Sequence, residues 1–189
     1  MSISVLGMSV SLDGFIAGPD DFLGGDDGQR LHAWFTQDGE FVPPAGPAGE
    51  LVAEWATAGA VVTGRRTAEL MDHWGGDHGG APIFVVSHRP PGPAGRWSYP
   101  NVHYMTDVAD AMTQAKVAAG DRHVEVRGGY VAARAIEAGV LDEIQVHMVP
   151  VLLGRGRRLF DELSSLVELD IARVIDTPDA THIRYRVRR

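Results

Sequence analysis

Short apolar runs recur along this chain, each closed by a glycine, a proline or a polar turn, with helical stretches between them. Residues 3–10, 60–63, 83–86, 102–105, 123–126 and 144–149 are too short for helices and read as buried strands. Residues 50–58, 66–71, 107–119 and 130–138 read as helices. In the third, Val108, Ala111, Met112 and Ala115 share one face; the last ends at Gly139, placed as a C-cap. Leu31, Trp34 and Phe35 fall on one side of a further short helix. Residues 19–28, 42–49 and 72–82, with the proline-rich stretch through Pro93, read as loops. The tail alternates apolar and polar residues over 168–176 and 182–187 around Thr177-Pro178-Asp179, the pattern of an antiparallel hairpin. Strand and helix in alternation predict a three-layer α/β/α protein. Its central sheet is mostly parallel and carries a C-terminal antiparallel hairpin. No repeat or linker interrupts the pattern, so residues 1–189 are expected to form a single domain.

Composition narrows the function. The net charge is -8, from 25 acidic and 17 basic residues. A phosphate-coated surface repels such a chain, so nucleic acid and anionic membrane are not expected partners. No cysteine is present, which removes disulfides, thiolate zinc sites and cysteine nucleophiles. The histidines show no metal-ligand spacing, and no metal is expected. The N-terminal stretch lacks a basic region and no apolar run is long enough to span a membrane. The expected location is the cytoplasm.

In parallel sheets, ligands collect at the carboxyl ends of strands, where helix N-termini point. Three strand exits carry unusual residues. After Val61-Val62-Thr63 come Gly64, Arg65, Arg66 and Thr67. Guanidinium groups beside exposed helix N–H groups suit a phosphate; an N-cap threonine with two solvated arginines explains the same residues. After Val85-Val86 come Ser87, His88 and Arg89, which suit a phosphate and a purine, or form a plain turn with Ser87 bonding the backbone. After Val124-Glu125-Val126-Arg127 come Gly128, Gly129, Tyr130 and Val131. Paired glycines there let a pyrophosphate approach the backbone, or simply supply a positive φ in a tight turn. The pattern is not G-x-G-x-x-G, which disfavours a Rossmann fold. At the exit of the first strand, Asp13 is a candidate for orienting a substrate or donating a proton, or for stabilising its own turn. No G-x-S-x-G elbow is present, so a hydrolase lacks both nucleophile and base.

In this order, Ser11-Leu12-Asp13-Gly14, Gly64-Arg65-Arg66-Thr67, Val85-Val86-Ser87, Gly128-Gly129, Gly139-Val140-Leu141-Asp142-Glu143-Ile144 and Pro150-Val151-Leu152-Leu153-Gly154-Arg155-Gly156 resemble the dihydrofolate-reductase-like superfamily. The likeness is to its bacterial deaminase-reductase C-terminal branch, the reductase part of riboflavin biosynthesis. The resemblance implies NADPH as cofactor and hydride transfer to a small heterocycle, as in 5-amino-6-(5-phosphoribosylamino)uracil reductase. It places Ile16 and Ala17 at the nicotinamide and Gly64, Arg65, Arg66 and Thr67 on phosphates. Ser87, His88 and Arg89 would surround the adenosine, and Gly128, Gly129, Tyr130 and Val131 would contact the pyrophosphate. It also implies a homodimer, for which 146–153 offers an apolar strand and exit loop near a sheet edge. Tyr130 stands where the family has a third glycine. Without cysteines the zinc deaminase part of the riboflavin enzymes is not expected. The alternative function is a non-catalytic NADP(H)-binding sensor or partner-binding module on the same fold.

Folate reductases hold the pterin ring with a carboxylate on their first helix. The corresponding stretch here, Gln29-Arg30-Leu31-His32-Ala33-Trp34-Phe35, has none. Little or no dihydrofolate reduction is therefore expected in a steady-state assay at micromolar substrate; robust turnover would show that another acid holds the pterin.

Overall fold

The computed structural model describes residues 2–20, 25–38, 40–89, 99–161 and 163–189. In chain order the elements are β1 (Ser4–Ser11), β2 (Phe15–Ala17), α1 (Asp26–His32), β3 (Thr36–Gln37), β4 (Glu40–Phe41), α2 (Gly46–Trp55), β5 (Ala60–Gly64), α3 (Arg65–Leu70), a tight turn (Asp72–Gly76), β6 (Ile83–Val86), β7 (Val102–Met105), α4 (Val108–Ala119), β8 (Val124–Arg127), α5 (Gly129–Glu137), β9 (Glu143–Val149), β10 (Arg157–Arg158), β11 (Leu169–Asp176) and β12 (Thr181–Val187). Eight strands form a sheet in the order β11-β12-β9-β1-β8-β5-β6-β7. The chain divides along β1 into two compact units, residues 1–6 with 57–142 and residues 7–56 with 143–189.

In the first unit every pairing is parallel: β1 with β8, β8 with β5, β5 with β6 and β6 with β7. All four residues of β6 are buried, as are the first four of β5. Strands buried on both faces need helices on both faces. Val61, Ile83 and Val85 pack with Ala68 of α3, joined by Trp74, Val102 and Tyr104. The alternate residues Val62 and Phe84 point the other way, and α4 contacts β5, β6 and β8. Asp107 caps α4, accepting from the N–H groups of Ala109 and Asp110 at 2.8 and 2.9 Å.

In the second unit β11, β12 and β9 are antiparallel, with Ile183 opposite Val146 and His182 opposite His147. Leu31, Trp34, Ala48, Val52, Val149 and Ala180 form the core, with Phe35, Trp55, Val151 and Leu153 against it. Glu54 of α2 takes both guanidinium nitrogens of Arg173 at 2.6 and 2.8 Å, tying helix to hairpin.

The fold class expected from sequence holds, and most elements fall within a residue or two of their expected bounds. The differences have physical causes. Residues 46–49, read as loop, open α2, because a proline in the first turn costs no intrahelical hydrogen bond. Asp26–Gly28 likewise begin α1, which stops at His32, so Trp34 reaches the core from beyond the helix. Residues 72–76 are not shapeless: Asp72, His73, Trp74, Gly75 and Gly76 all have positive φ, a left-handed turn. β9 is no edge strand; it lies inside the sheet and is mostly buried. The edge is β11, with Ile171 and Val174 exposed. Part of the proline-rich stretch through Pro93 lies outside the described residues.

Asp142 fastens β1 in the first unit. Its carboxylate accepts from the Ser4 N–H at 2.9 Å and from Lys116 Nζ at 2.6 Å. Burial works to raise its pKa, but the Lys116 and Ser4 hydrogen bonds outweigh it and hold the carboxyl below its ordinary range. The contribution is present at neutral pH and fades as pH falls through that lowered pKa. Asp142→Ala should cost about 2–3 kcal/mol and roughly 5–10 °C of Tm, read by calorimetry.

Candidate functional site

In the first unit the carboxyl ends of β8, β5 and β6 lie side by side. Thr63 is opposite Arg127 and Gly64 is opposite Val86. β5 runs straight into α3 and β8 into α5, so two helices start next to each other. Neither start has a side-chain cap, and neither has an acidic residue in its first turn. Uncapped N–H groups with positive dipole ends and no acid in the first turn favour an anion. Arg65 and Arg66 occupy the first turn of α3, where Arg65 Nε pairs with Glu69 at 3.2 Å.

Thr67 is not the N-cap weighed from sequence; Gly64 holds that position. Thr67 instead closes the space beside the second glycine pair. A Cβ on Gly128 would sit 2.7 Å from Thr67 Oγ1, and one on Gly64 would sit 3.3 Å from Val131 Cγ2. Gly64–Thr67 and Gly128–Val131 therefore form one cradle. The positive φ belongs to Gly128, at +95°, while Gly129 is the first residue of α5. Gly129 is buried and Tyr130 is exposed. One strand over, Ser87 Oγ accepts from the Arg89 N–H at 3.0 Å and lies 2.8 Å from the Arg89 carbonyl. Ser87, His88 and Arg89 thus form a side-chain-stabilised turn at the end of β6.

The face of the sheet under α3 also holds polar groups that the sequence reading passed over. Glu125 is buried in β8 and accepts from Arg127 Nη2 at 2.6 Å. A charged residue inside an apolar strand, with its counter-charge two residues on, was the available signal. In the left-handed turn, His73 is fully buried with Nε2 2.8 Å from the Tyr104 hydroxyl. Burial pushes the His73 pKa down and the Tyr104 pKa up.

Asp13, Ile16 and Ala17 belong to the second unit. Asp13 accepts from Ser11 Oγ at 2.6 Å, from the Leu153 N–H at 3.1 Å and from the Gly154 N–H at 2.7 Å. The Ser11 bond foremost, opposed next by burial and aided by those from Gly154 and Leu153, lowers its pKa to about 2. Asp13 is therefore ionised and engaged as an acceptor, which is the opposite of what a general acid needs; the orienting role is the one its geometry suits. β2, carrying Ile16 and Ala17, pairs with β10, Arg157 opposite Ala17 and Arg158 opposite Phe15. The Arg158 guanidinium lies 4.5 Å over the Phe15 ring and donates to the Asp13 carbonyl at 3.0 Å.

A mostly parallel sheet flanked by helices, with an antiparallel C-terminal hairpin, is the dihydrofolate-reductase-like fold. The sequence profile of the RibD C-terminal domain matches residues 4–183, and the chain belongs to that family. Among solved structures it resembles a Shewanella sp. PV-4 protein assigned to riboflavin biosynthesis, at 22% identity and TM-score 0.75, covering 99% of both chains. A pyrimidine reductase-like protein from Corynebacterium diphtheriae matches at 14% identity and TM-score 0.62, covering 100% of this chain and 92% of that one. The Thermotoga maritima diaminohydroxyphosphoribosylaminopyrimidine deaminase/5-amino-6-(5-phosphoribosylamino)uracil reductase matches at 14% and 0.63, covering 98% of this chain but 56% of its own length. No curated protein matches the chain at a significant level.

Gly128→Ala should strain the positive φ and drive a methyl into Thr67, costing about 2–4 kcal/mol in urea unfolding. Adding Thr67→Ala should recover the steric part and leave the φ part.

Proposed function

We propose that this chain is an NADPH-dependent reductase that transfers hydride to a small heterocyclic substrate, similar to 5-amino-6-(5-phosphoribosylamino)uracil reductase. Its expected setting is the cytoplasm, as a homodimer and as one reductase domain over residues 1–189. Membership of the RibD C-terminal family supports the reductase class. The observation that carries the reading is the pair of adjacent, uncapped, acid-free helix starts at the exits of β5 and β8.

These residues fit a dinucleotide's phosphates. The N–H groups opening α5 at Gly129, Tyr130 and Val131 take one phosphate, and Gly128, lacking a side chain, keeps the approach open beside Thr67. Arg65 and Arg66 take negative charge at α3. Ser87, His88 and Arg89 take the adenosine end, where arginine favours a 2′-phosphate over a free hydroxyl. By the family resemblance Ile16 and Ala17 would line the nicotinamide, which when bound would supply the hydride. Asp13, as a fixed acceptor, holds the Leu153–Gly154 loop against the exit of β1 and thereby orients β2.

Asp13's engagement as an acceptor is also the one observation that favours the second reading, a non-catalytic NADP(H)-binding module. NADPH oxidation against a panel of pyrimidines and pterins separates the two. Turnover of any member removes the module, whereas tight NADPH binding without turnover removes the enzyme.

Calorimetry should give tighter binding of NADPH than of NADH; equal affinities would sink the 2′-phosphate assignment. Gly129→Val tests the cradle. Because Gly128 carries the positive φ, the valine adds no φ strain; Gly129 is buried, so the melting temperature is measured on the same variant to separate lost packing from the lost phosphate site. Losing two charge-assisted hydrogen bonds at about 1.5–3 kcal/mol each weakens NADPH by roughly two to four orders of magnitude. A folded Gly129→Val protein with parental NADPH affinity would remove this site.

A further inference from the structure

Glu125 is 2% exposed, between Val124 and Val126, which are fully buried. A buried carboxylate is costly unless it is paired. Its Oε1 has Arg127 Nη2 at 2.6 Å. Its Oε2 has no hydrogen-bond partner among the described residues; His78 Nε2 stands 3.8 Å away, beyond hydrogen-bond reach. Burial lowers the His78 pKa, and Arg127 is the cation in hydrogen-bond contact with Glu125.

A pair that served stability alone would be matched by apolar side chains of similar volume. This one has a placement that stability does not require. Arg127 ends β8 and immediately precedes Gly128 and Gly129. Strand alternation puts Glu125 and Arg127 on one face, in register with Val61 and Thr63 of β5. Thr63 Oγ1 donates to the Arg127 carbonyl at 3.2 Å, fixing the backbone at the exit. A quarter of the Arg127 side chain is open, against 3% for its partner. Arg127 thus donates from Nη2 to a buried carboxylate, while a quarter of its side chain stays open at the strand exit. An arginine restrained in this way has already lost much of its rotamer freedom before a ligand arrives, and its planar fork matches a pair of oxygens.

We propose that Arg127 is an oxyanion-binding residue at the carboxyl end of β8, and that Glu125 is the positioning residue that aims it. The reductase reading enters only for the source of the oxygens, which is either the cofactor's phosphate or an oxygen on the substrate.

The test is titration calorimetry of inorganic pyrophosphate, with NADP+ in parallel, on the parent, Arg127→Gln, Arg127→Lys, Glu125→Met and Glu125→Gln, each with its melting temperature. Arg127→Gln should weaken pyrophosphate roughly 10- to 100-fold. Arg127→Lys keeps the charge without the fork, so it should recover only part, and it stands in if the glutamine variant does not fold. Glu125→Met should weaken binding roughly three- to tenfold, and Glu125→Gln, which still accepts from Arg127, should restore most of it. If Glu125 merely opposed the local charge, both variants would bind pyrophosphate more tightly, which would overturn the positioning role. Parental affinity in Arg127→Gln, or no pyrophosphate binding by the parent, overturns the proposal. NADP+ weakened by the same factor assigns the oxygens to the cofactor; NADP+ unchanged while pyrophosphate weakens assigns them to the substrate. Arg127-dependent pyrophosphate binding with no NADP+ binding at all would sink the reductase reading and leave this one standing.

Discussion

The parallel register between β5 and β8 is the constraint on which the first unit depends. With Ala60 opposite Val124 and Thr63 opposite Arg127, both strands end on the same side and at the same height. Their following helices must then begin side by side, each with unsatisfied N–H groups pointing outward. A shift of the pairing by one residue would turn Glu125 and Arg127 to the opposite face and part Thr67 from Gly128. The adjacency of the two helix starts is thus a by-product of sheet geometry, and neither carries a side-chain cap or an acid in its first turn. The register in turn holds because Val61, Val62, Val124 and Val126 are wholly buried, so no sliding keeps them dry.

What was legible in the sequence is what is encoded locally. The runs at 83–86 and 102–105 match β6 and β7 residue for residue, and Gly139, with positive φ, follows α5 one residue past its C-cap Ala138. Proline and glycine misled where they sit inside an element's first turn, as at Gly46 and Pro47. The strand exits were legible because a buried strand followed by glycine and arginine has few structural explanations. Their contents were harder to apportion. Nothing local distinguishes Gly128 from Gly129; the difference is that Gly128 lies against Thr67 across the neighbouring strand. Asp13 reads as a substrate-orienting, proton-donating or turn-stabilising carboxylate until Leu153 and Gly154 are seen to donate to it. The residues that fix these roles are remote in sequence, and so no periodicity could announce them.

The left-handed turn at Asp72–Gly76 belongs to the same class of hidden feature. Each non-glycine residue in that conformation costs roughly 1–2 kcal/mol, and Asp72, His73 and Trp74 all adopt it. The turn is compensated by burying His73 against Tyr104 and by packing Trp74 into the cluster with Val61 and Ile83. A loop rich in glycine is a fair reading of that sequence. That it is a rigid corner follows only from the side chains it buries.

β1 bears on how the protein is made. It is made before every strand it pairs with, yet its Ser4 N–H is satisfied by Asp142, a separation of 138 residues, and the strand it pairs with in the first unit begins at Val124. Neither compact unit is drawn from one continuous stretch of chain. During synthesis β1 therefore waits as an apolar segment without its sheet, while Ala60–Gly64 and Ile83–Val86 can already associate. Chains of this topology close late and expose a sticky end until they do. Chaperone demand and inclusion-body losses on overexpression should accordingly track how quickly translation reaches β8, more than the stability of the finished fold.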